Sequence, residues 1–304
     1  MPTDTDGASP PAPAPVAIVG GGGFIGSALT ARLISAGVPV RSFTRHIPFL
    51  SAPGLLSPDA ASSRTVVWLA SSVNPTIAQE RPDLVKADHV AFVELLAAAT
   101  AIEHPPCIVL ISSGGTVYDP ATDPPYRESS PARAVNAYGE SKLRLESELR
   151  DSGLVGRVVV RVSNAYGPGQ PARRGLGVIA HWLHAAAAGR RPVLIGGPDA
   201  ARDYVYIDDI VRALVAIHHH DGALPEVLNI GSGVPTSLGE LAKVVLDVVD
   251  DPDLAFDMRP ARSFDLSRTW LDVALAERTL GWRPQTPLAE GVRATWGAMG
   301  PSRR

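Results

Sequence analysis

The chain has 304 residues, 45% hydrophobic and 19% charged, a balance that fills a core and excludes a disordered polymer. Its 28 basic and 31 acidic residues leave a formal charge of −3, which excludes a general binder of nucleic acid or another polyanion. A single cysteine, Cys107, excludes an intramolecular disulfide framework and any multi-cysteine metal site, and beside the apolar run Ile108–Ile111 it reads as a buried, inert thiol.

Residues 1–15 are rich in Pro and Ala and lack the basic and apolar regions of a secretory signal, so they read as a disordered leader. No uninterrupted apolar stretch approaches the roughly 20 residues that span a bilayer. A soluble, cytoplasmic protein is expected, with no membrane partner.

Ordered structure is predicted from Val16. The apolar run Val16–Val19 reads as a strand that runs into four glycines, and Phe24–Ala36 reads as a helix. Further strands are predicted at Val38–Phe43, Val66–Ala70, Ile108–Ser112 and Val158–Val162, with helices over Leu84–Ala101 and Tyr138–Arg150. This alternation predicts an α/β fold, a Rossmann-type doubly wound parallel sheet. After about Gly167 the texture changes. A helix at Gly177–Ala188 and a strand at Val193–Ile195 lead to the segment Tyr204–Ile207, a helix at Asp209–His218 and a strand at Val227–Ile230. Helices over Ser237–Val249 and Leu288–Ala298 follow. These pieces predict a dinucleotide-binding domain over 16–168 and a smaller, mainly substrate-binding domain over 169–304, with about 203–230 returning to the first.

Gly20, Gly23 and Gly26 form G-x-x-G-x-x-G between the first strand and a helix that opens at Phe24 and Ile25. The first glycine permits a tight turn and the second lets backbone approach a pyrophosphate. The third brings helix and sheet together, and the helix N-terminus supplies amide donors. An acid closing the second strand would bind the ribose diol of NAD, whereas an arginine nearby would take the 2′-phosphate of NADP. Here Thr44 stands at that place with Arg45 after it, so NADP is open beside NAD, as is a plain surface role for Arg45. Ala70 and Ser112, at the ends of later strands, complete the expected cofactor contacts.

Tyr138 and Lys142 are four residues apart and share a helix face. An ammonium beside a phenol favours the phenolate, which lets a tyrosine exchange protons with a sugar or alcohol hydroxyl. With six tyrosines in the chain and lysine only at 86, 142 and 243, a chance Y-x-x-x-K is expected with a probability of roughly 0.06. Ser112, Ser113 and Thr116 offer hydroxyls just after the fourth predicted strand.

On these residues the chain resembles the extended short-chain dehydrogenases/reductases, specifically the NAD-dependent epimerase/dehydratase group typified by UDP-glucose 4-epimerase. The resemblance runs from about Val16 to Met299. It is carried by the glycine loop, Ser112–Tyr118, Tyr138–Lys142, Arg161–Gly169, Arg202–Asp209, Asn229–Gly233 and Leu280-Gly281-Trp282. It implies that Tyr138 is the acid/base and that Lys142 also holds the nicotinamide ribose. It further implies that Asn164 contacts a nucleotide sugar and Arg202 its diphosphate, while Asp208 orders the loop carrying Arg202. Homodimerisation through Leu84–Ala101 and Tyr138–Arg150, as a four-helix interface, is likewise implied. The 4-epimerases place a catalytic Ser or Thr four residues before the tyrosine that is Tyr118 here, and that position is Gly114. Either Ser113 or Thr116 takes over, or the second hydrogen bond to substrate is absent. Gly114-Gly115 also lacks the acidic pair of the dehydratases, which disfavours dehydration. The expected activity is a UDP-hexose 4-epimerase acting through transient oxidation at C4, with an NADP-dependent 4-keto reductase as the alternative.

Other features read as structural. His218-His219-His220 reads as a solvated helix end, not a metal site. Arg190-Arg191 reads as a cationic helix terminus, and Trp182 and Trp296 as core or interface. Arg173-Arg174 remains a candidate phosphate contact.

Overall fold

The computed structural model describes residues 13–172, 177–260 and 267–300. The predicted leader through residue 12 and the candidate pair Arg173-Arg174 lie outside the described residues.

In chain order the first elements are β1 (Val16–Val19), α1 (Phe24–Ser35), β2 (Val40–Phe43), β3 (Leu50–Ala52), β4 (Leu55–Leu56) and α2 (Pro58–Ala61). There follow β5 (Thr65–Trp68), α3 (Pro75–Glu80), α4 (Pro82–Thr100), β6 (Cys107–Ser113), α5 (Ala137–Asp151) and β7 (Arg157–Val162). The later part contains β8 (Asn164–Tyr166), α6 (Val178–Ala187), β9 (Val193–Ile195), β10 (Ala201–Tyr206), α7 (Ile207–His219) and β11 (Val227–Ile230). Last come β12 (Pro235–Ser237), α8 (Leu238–Val249), β13 (Asp257–Arg259), β14 (Arg268–Thr269), α9 (Ala274–Leu280) and α10 (Leu288–Ala298).

The main sheet is six-stranded and wholly parallel, in the order β11-β7-β6-β5-β1-β2. Its central strands β1, β5 and β6 are apolar on both faces, as a sheet covered by helices on both sides requires. In β1, Val16 and Ile18 point into a core shared with Leu29 and Leu33 of α1 and Ile210, Leu214 and Ile217 of α7. Ala17 and Val19 point the other way, toward Phe92 and Leu95 of α4 and Leu145 and Leu149 of α5. The chain reverses its direction of winding between β1 and β5, so the ligand crevice opens at the C-terminal ends of these two strands. Beyond that edge lies a second sheet, β12-β10-β14, with β8 paired to β10. No helix among the described residues is long and apolar enough to cross a membrane.

Several sequence expectations are corrected. Tyr204–Ile207 is the end of a longer strand that begins at Ala201, and α7 starts at Ile207, two residues earlier than predicted. The β3–β4 hairpin, α3 and α9 were not foreseen, being too short for a clear period. His218 is not solvated: it is 4% exposed, its Nδ1 lies 2.9 Å from Thr65 Oγ1, and burial lowers its pKa to about 4. Cys107 is only half-buried, and burial pushes its thiol up to about 11. Arg191, three residues beyond the C-cap of α6, pairs with Asp257 at 3.1 Å. Trp182 is core, with its indole N–H donated to Val193 O, and Trp296 packs at the margin of the same cluster.

Candidate active site

The glycine loop joins β1 to α1 at the point where the winding reverses. Gly20 has φ +95°, and a Cβ there would lie 2.7 Å from the backbone nitrogen of Ala70, so loop and β5 end approach as only glycine allows. A Cβ at Gly26 would collide with the carbonyl of Gly20, whereas Gly22 faces open space. Gly23 caps α1 without any side-chain hydrogen bond, and no acid lies in the first turn. The helix therefore presents free amide donors to a bare glycine cradle, which fits the diphosphate of a dinucleotide. Gly20, Gly23, Phe24, Ile25, Gly26 and Ala70 would hold it. Thr44 and Arg45 are exposed immediately after β2. Ser42, unnoticed in sequence, lies against the loop, since a Cβ at Gly21 would overlap its hydroxyl.

Tyr138 and Lys142, predicted from sequence as the proton-transfer pair, sit at the start of α5. Asn136 caps this helix by accepting from Gly139 N at 2.9 Å. A Cβ at Gly139 would strike the carbonyl of Thr116, so this glycine is what lets Tyr138 approach the 113–118 loop. Lys142 is 5% exposed, donates to Ile111 O at 3.1 Å and lies 5.6 Å from the Tyr138 ring centroid. In the 113–118 loop Thr116 Oγ1 donates to Ser113 Oγ at 2.9 Å. Ser113 is left with its own hydroxyl proton to give.

Ser112, expected at the cofactor, has its hydroxyl elsewhere. It is buried and donates to Glu146, which holds Arg161 through a two-pronged bridge, Nε to Oε1 at 3.1 Å and Nη2 to Oε2 at 2.6 Å. The Arg161 guanidinium stacks 4.7 Å from the Tyr118 ring, and the Tyr118 hydroxyl donates to Asn229 Oδ1 at 2.7 Å. Burial pushes the Tyr118 phenol above its usual range. This polar network joins β6, α5, β7 and β11 next to the 113–118 loop.

Gly114 also has a physical reason. A Cβ there would lie 2.6 Å from Leu271 Cδ1 and 3.0 Å from Cδ2, so the leucine fills the place of a hydroxyl side chain. Leu271 is 2% exposed, and its N–H donates to Asp203 Oδ2 at 3.2 Å. Asp203, 1% exposed, also accepts from Ser163 Oγ, Ser232 N, Ser232 Oγ and Gly233 N. It ties together the ends of β7 and β11 and the segment carrying Leu271.

Asp203 and Asp209 therefore do the ordering expected of Asp208, which is exposed. Asp209 accepts from Gln285 N and Thr286 N, and its carbonyl accepts from the Trp282 indole. Sequence reasoning missed Asp203, although it lies inside the Arg-Asp-Tyr motif; Leu271 carried no signal. Asn164 and Arg202 come onto the adjacent strands β8 and β10. Asn164 Nδ2 donates to Asp203 O at 2.9 Å, and Arg202 Nη1 donates to Ala201 O at 2.9 Å.

The chain is similar in sequence and fold to known proteins. A profile of the NAD dependent epimerase/dehydratase family matches residues 16–231. A dTDP-6-deoxy-L-talose 4-dehydrogenase (NAD(P)(+)) of Kitasatospora kifunensis is 33% identical over 95% of this chain and 96% of its own length. A UDP-glucose 4-epimerase of Mycolicibacterium smegmatis is 31% identical over 91% and 96%. The structure of a UDP-glucose 4-epimerase with UDP-glucose from Thermotoga maritima superposes with a TM-score of 0.81 at 26% identity, covering 94% of this chain and 98% of that one. The chain is a member of the NAD-dependent epimerase/dehydratase family of extended short-chain dehydrogenases/reductases, nucleotide-sugar enzymes built around a bound nicotinamide cofactor.

Proposed function

We propose that this protein moves a hydride at C4 of the sugar in a nucleoside diphosphate sugar while Tyr138 exchanges the proton of the C4 oxygen. The observation that carries this reading is the cluster at the start of α5: Tyr138 beside the buried Lys142 ammonium, near a Ser113–Thr116 hydroxyl pair. Bound nicotinamide supplies the hydride acceptor and donor, chemistry that no side chain can replace. Lys142, fixed by Ile111 O, sets a positive charge where a phenolate would be attracted. Ser113, polarised by Thr116, donates to the sugar oxygen in place of the missing hydroxyl at 114. Arg202 would meet the diphosphate and Asn164 the sugar nucleotide. Pairing of two copies through α4 and α5, in the cytoplasm, belongs to the same reading; α4 exposes Val90 at 45%.

Two net outcomes share this chemistry. A UDP-hexose 4-epimerase keeps its cofactor bound while the 4-keto sugar turns over, a reading supported by the Mycolicibacterium relative. An NADP-linked 4-keto reductase releases the cofactor after each hydride, a reading supported by the Kitasatospora relative and by Arg45. Whether the cofactor stays or leaves separates them.

A panel of UDP-, GDP- and dTDP-sugars with NAD and NADP, read by product NMR, tests the proposal. Epimerised product at constant cofactor marks the first outcome, and one NADPH oxidised per 4-keto sugar the second. Tyr138→Phe lowers turnover by about 10²–10⁴-fold without changing the melting temperature. Full activity in that variant, or no turnover of any nucleotide sugar, overturns the reading.

A further inference from the structure

Tyr138, Lys142 and Glu146 follow one another at four-residue steps along α5, so they form a line on one face of the helix. Lys142 and Glu146 are both buried. An ammonium one turn from a carboxylate pairs with it by default, and a low local dielectric strengthens the attraction. Yet no ion pair joins these two. Lys142 Nζ donates to Ile111 O at 3.1 Å instead, and Glu146 is engaged by other groups.

Two strands take the carboxylate. Arg161 of β7 holds both oxygens, Nε to Oε1 at 3.1 Å and Nη2 to Oε2 at 2.6 Å. Ser112 of β6, next in the chain to Ile111, donates its hydroxyl to Oε1. Arg161 is itself fixed by stacking on the Tyr118 ring at 4.7 Å. The other charges around Lys142 line a cavity of about 430 Å³ between α4 and α5. There Asp88 accepts from Ser72 N at 2.6 Å, and His89 is bridged to Glu148 at 2.8 Å. Lys86 and Arg144 are exposed and carry the same sign as Lys142. Among the described residues Glu146 is the one buried acid on α4 or α5.

Resting on the C4 hydride-transfer reading, in which Tyr138 exchanges the proton, we infer that Arg161 is a positioning residue for the Tyr138–Lys142 pair: its fork holds Glu146 away from Lys142 and so leaves the ammonium charge to the phenol. The guanidinium acts through Glu146. With Arg161 in place, the three buried groups Lys142, Glu146 and Arg161 carry one positive charge in excess, and Lys142 presents it to Tyr138. Without Arg161 the charges of Lys142 and Glu146 cancel. A planar guanidinium suits this task because it engages both carboxylate oxygens at once, which a single ammonium does less well.

The test titrates the phenol in the full chain with no sugar present. Tyrosinate absorbance, taken as the difference between each protein and the same protein carrying Tyr138→Phe, follows that one hydroxyl. In Arg161→Gln its midpoint is expected about one pH unit above that of the wild type, the scale on which one neighbouring charge acts. In Arg161→Gln/Glu146→Gln, where neither partner is charged, the midpoint returns to the wild-type position. Arg161→Lys keeps the cation without the fork; it shifts in the same direction by less and serves where the glutamine variant does not fold. Melting temperatures that fall while the midpoint stays in place mark a purely structural clamp and overturn the inference, as does an equal shift in the double variant. Failure of the sugar reading is separate: it shows as no turnover in the sugar panel while the absorbance titrations stand.

Discussion

The two sides of the crevice are built to different standards. On the side proposed to take the sugar, one buried carboxylate, Asp203, accepts five hydrogen bonds from three segments. The Glu146–Arg161 bridge, with side chains 7% and 6% exposed, stiffens the floor below. On the adenosine side the chain closes with a two-residue turn, exposed cations and no outer strand. Proton and hydride transfer fail when reacting atoms stray by about an ångström, so the residues that perform them need over-determined positions. The more rigid side is the one proposed to carry the proton transfer.

Substitutions can break or sharpen that contrast. Asp203→Ala leaves three backbone N–H groups, that of buried Leu271 and those of half-buried Ser232 and Gly233, without this acceptor and is expected to lower stability by about 3–5 kcal/mol, read from urea unfolding, while Arg45→Ala stays within about 0.5 kcal/mol. Equal effects would erase the distinction. A pH scan probes the base of the sheet, where His218 is held neutral with a pKa of about 4 against an ordinary 6.5. The folded state binds fewer protons than the unfolded one, so stability is full above pH 6.5 and falls as pH drops toward 4. The loss is about 2–3 kcal/mol, and His218→Gln should flatten that part of the curve. A smaller effect than that of Asp203→Ala is expected in the loop that follows β6. Gly114→Ser overpacks against Leu271 and costs about 1–3 kcal/mol. In a Leu271→Ala background the serine fits, so the two changes together cost less than their sum. Additive costs in that cycle would mean that Leu271 is not what excludes the side chain.

The parts legible in sequence were those written locally. G-x-x-G-x-x-G after an apolar run, and a lysine one helical turn past a tyrosine, report their geometry through spacing alone. The parts that were not legible depend on distant segments meeting. Asp208 looked like the organiser of its motif because it closes it, but α7 turns it to solvent and buries Asp209, while β10 buries Asp203. Ser112 looked like a cofactor contact because it ends a strand. The alternation of side chains along β6 sends it to the opposite face, against Glu146. His218 looked solvated because its neighbours are histidines, yet α7 delivers it to Thr65, 153 residues away.

Sequence by itself determined the α/β class, the glycine cradle, the Tyr138–Lys142 pair and the absence of a hydroxyl at 114, since each follows from local period, spacing or identity. The tertiary structure decided why 114 is glycine, that Thr116 and Ser113 are hydrogen-bonded beside it, and that the main sheet stops at β2. Those outcomes depend on which residues collide and which edges stay unpaired, and a one-dimensional pattern does not record either.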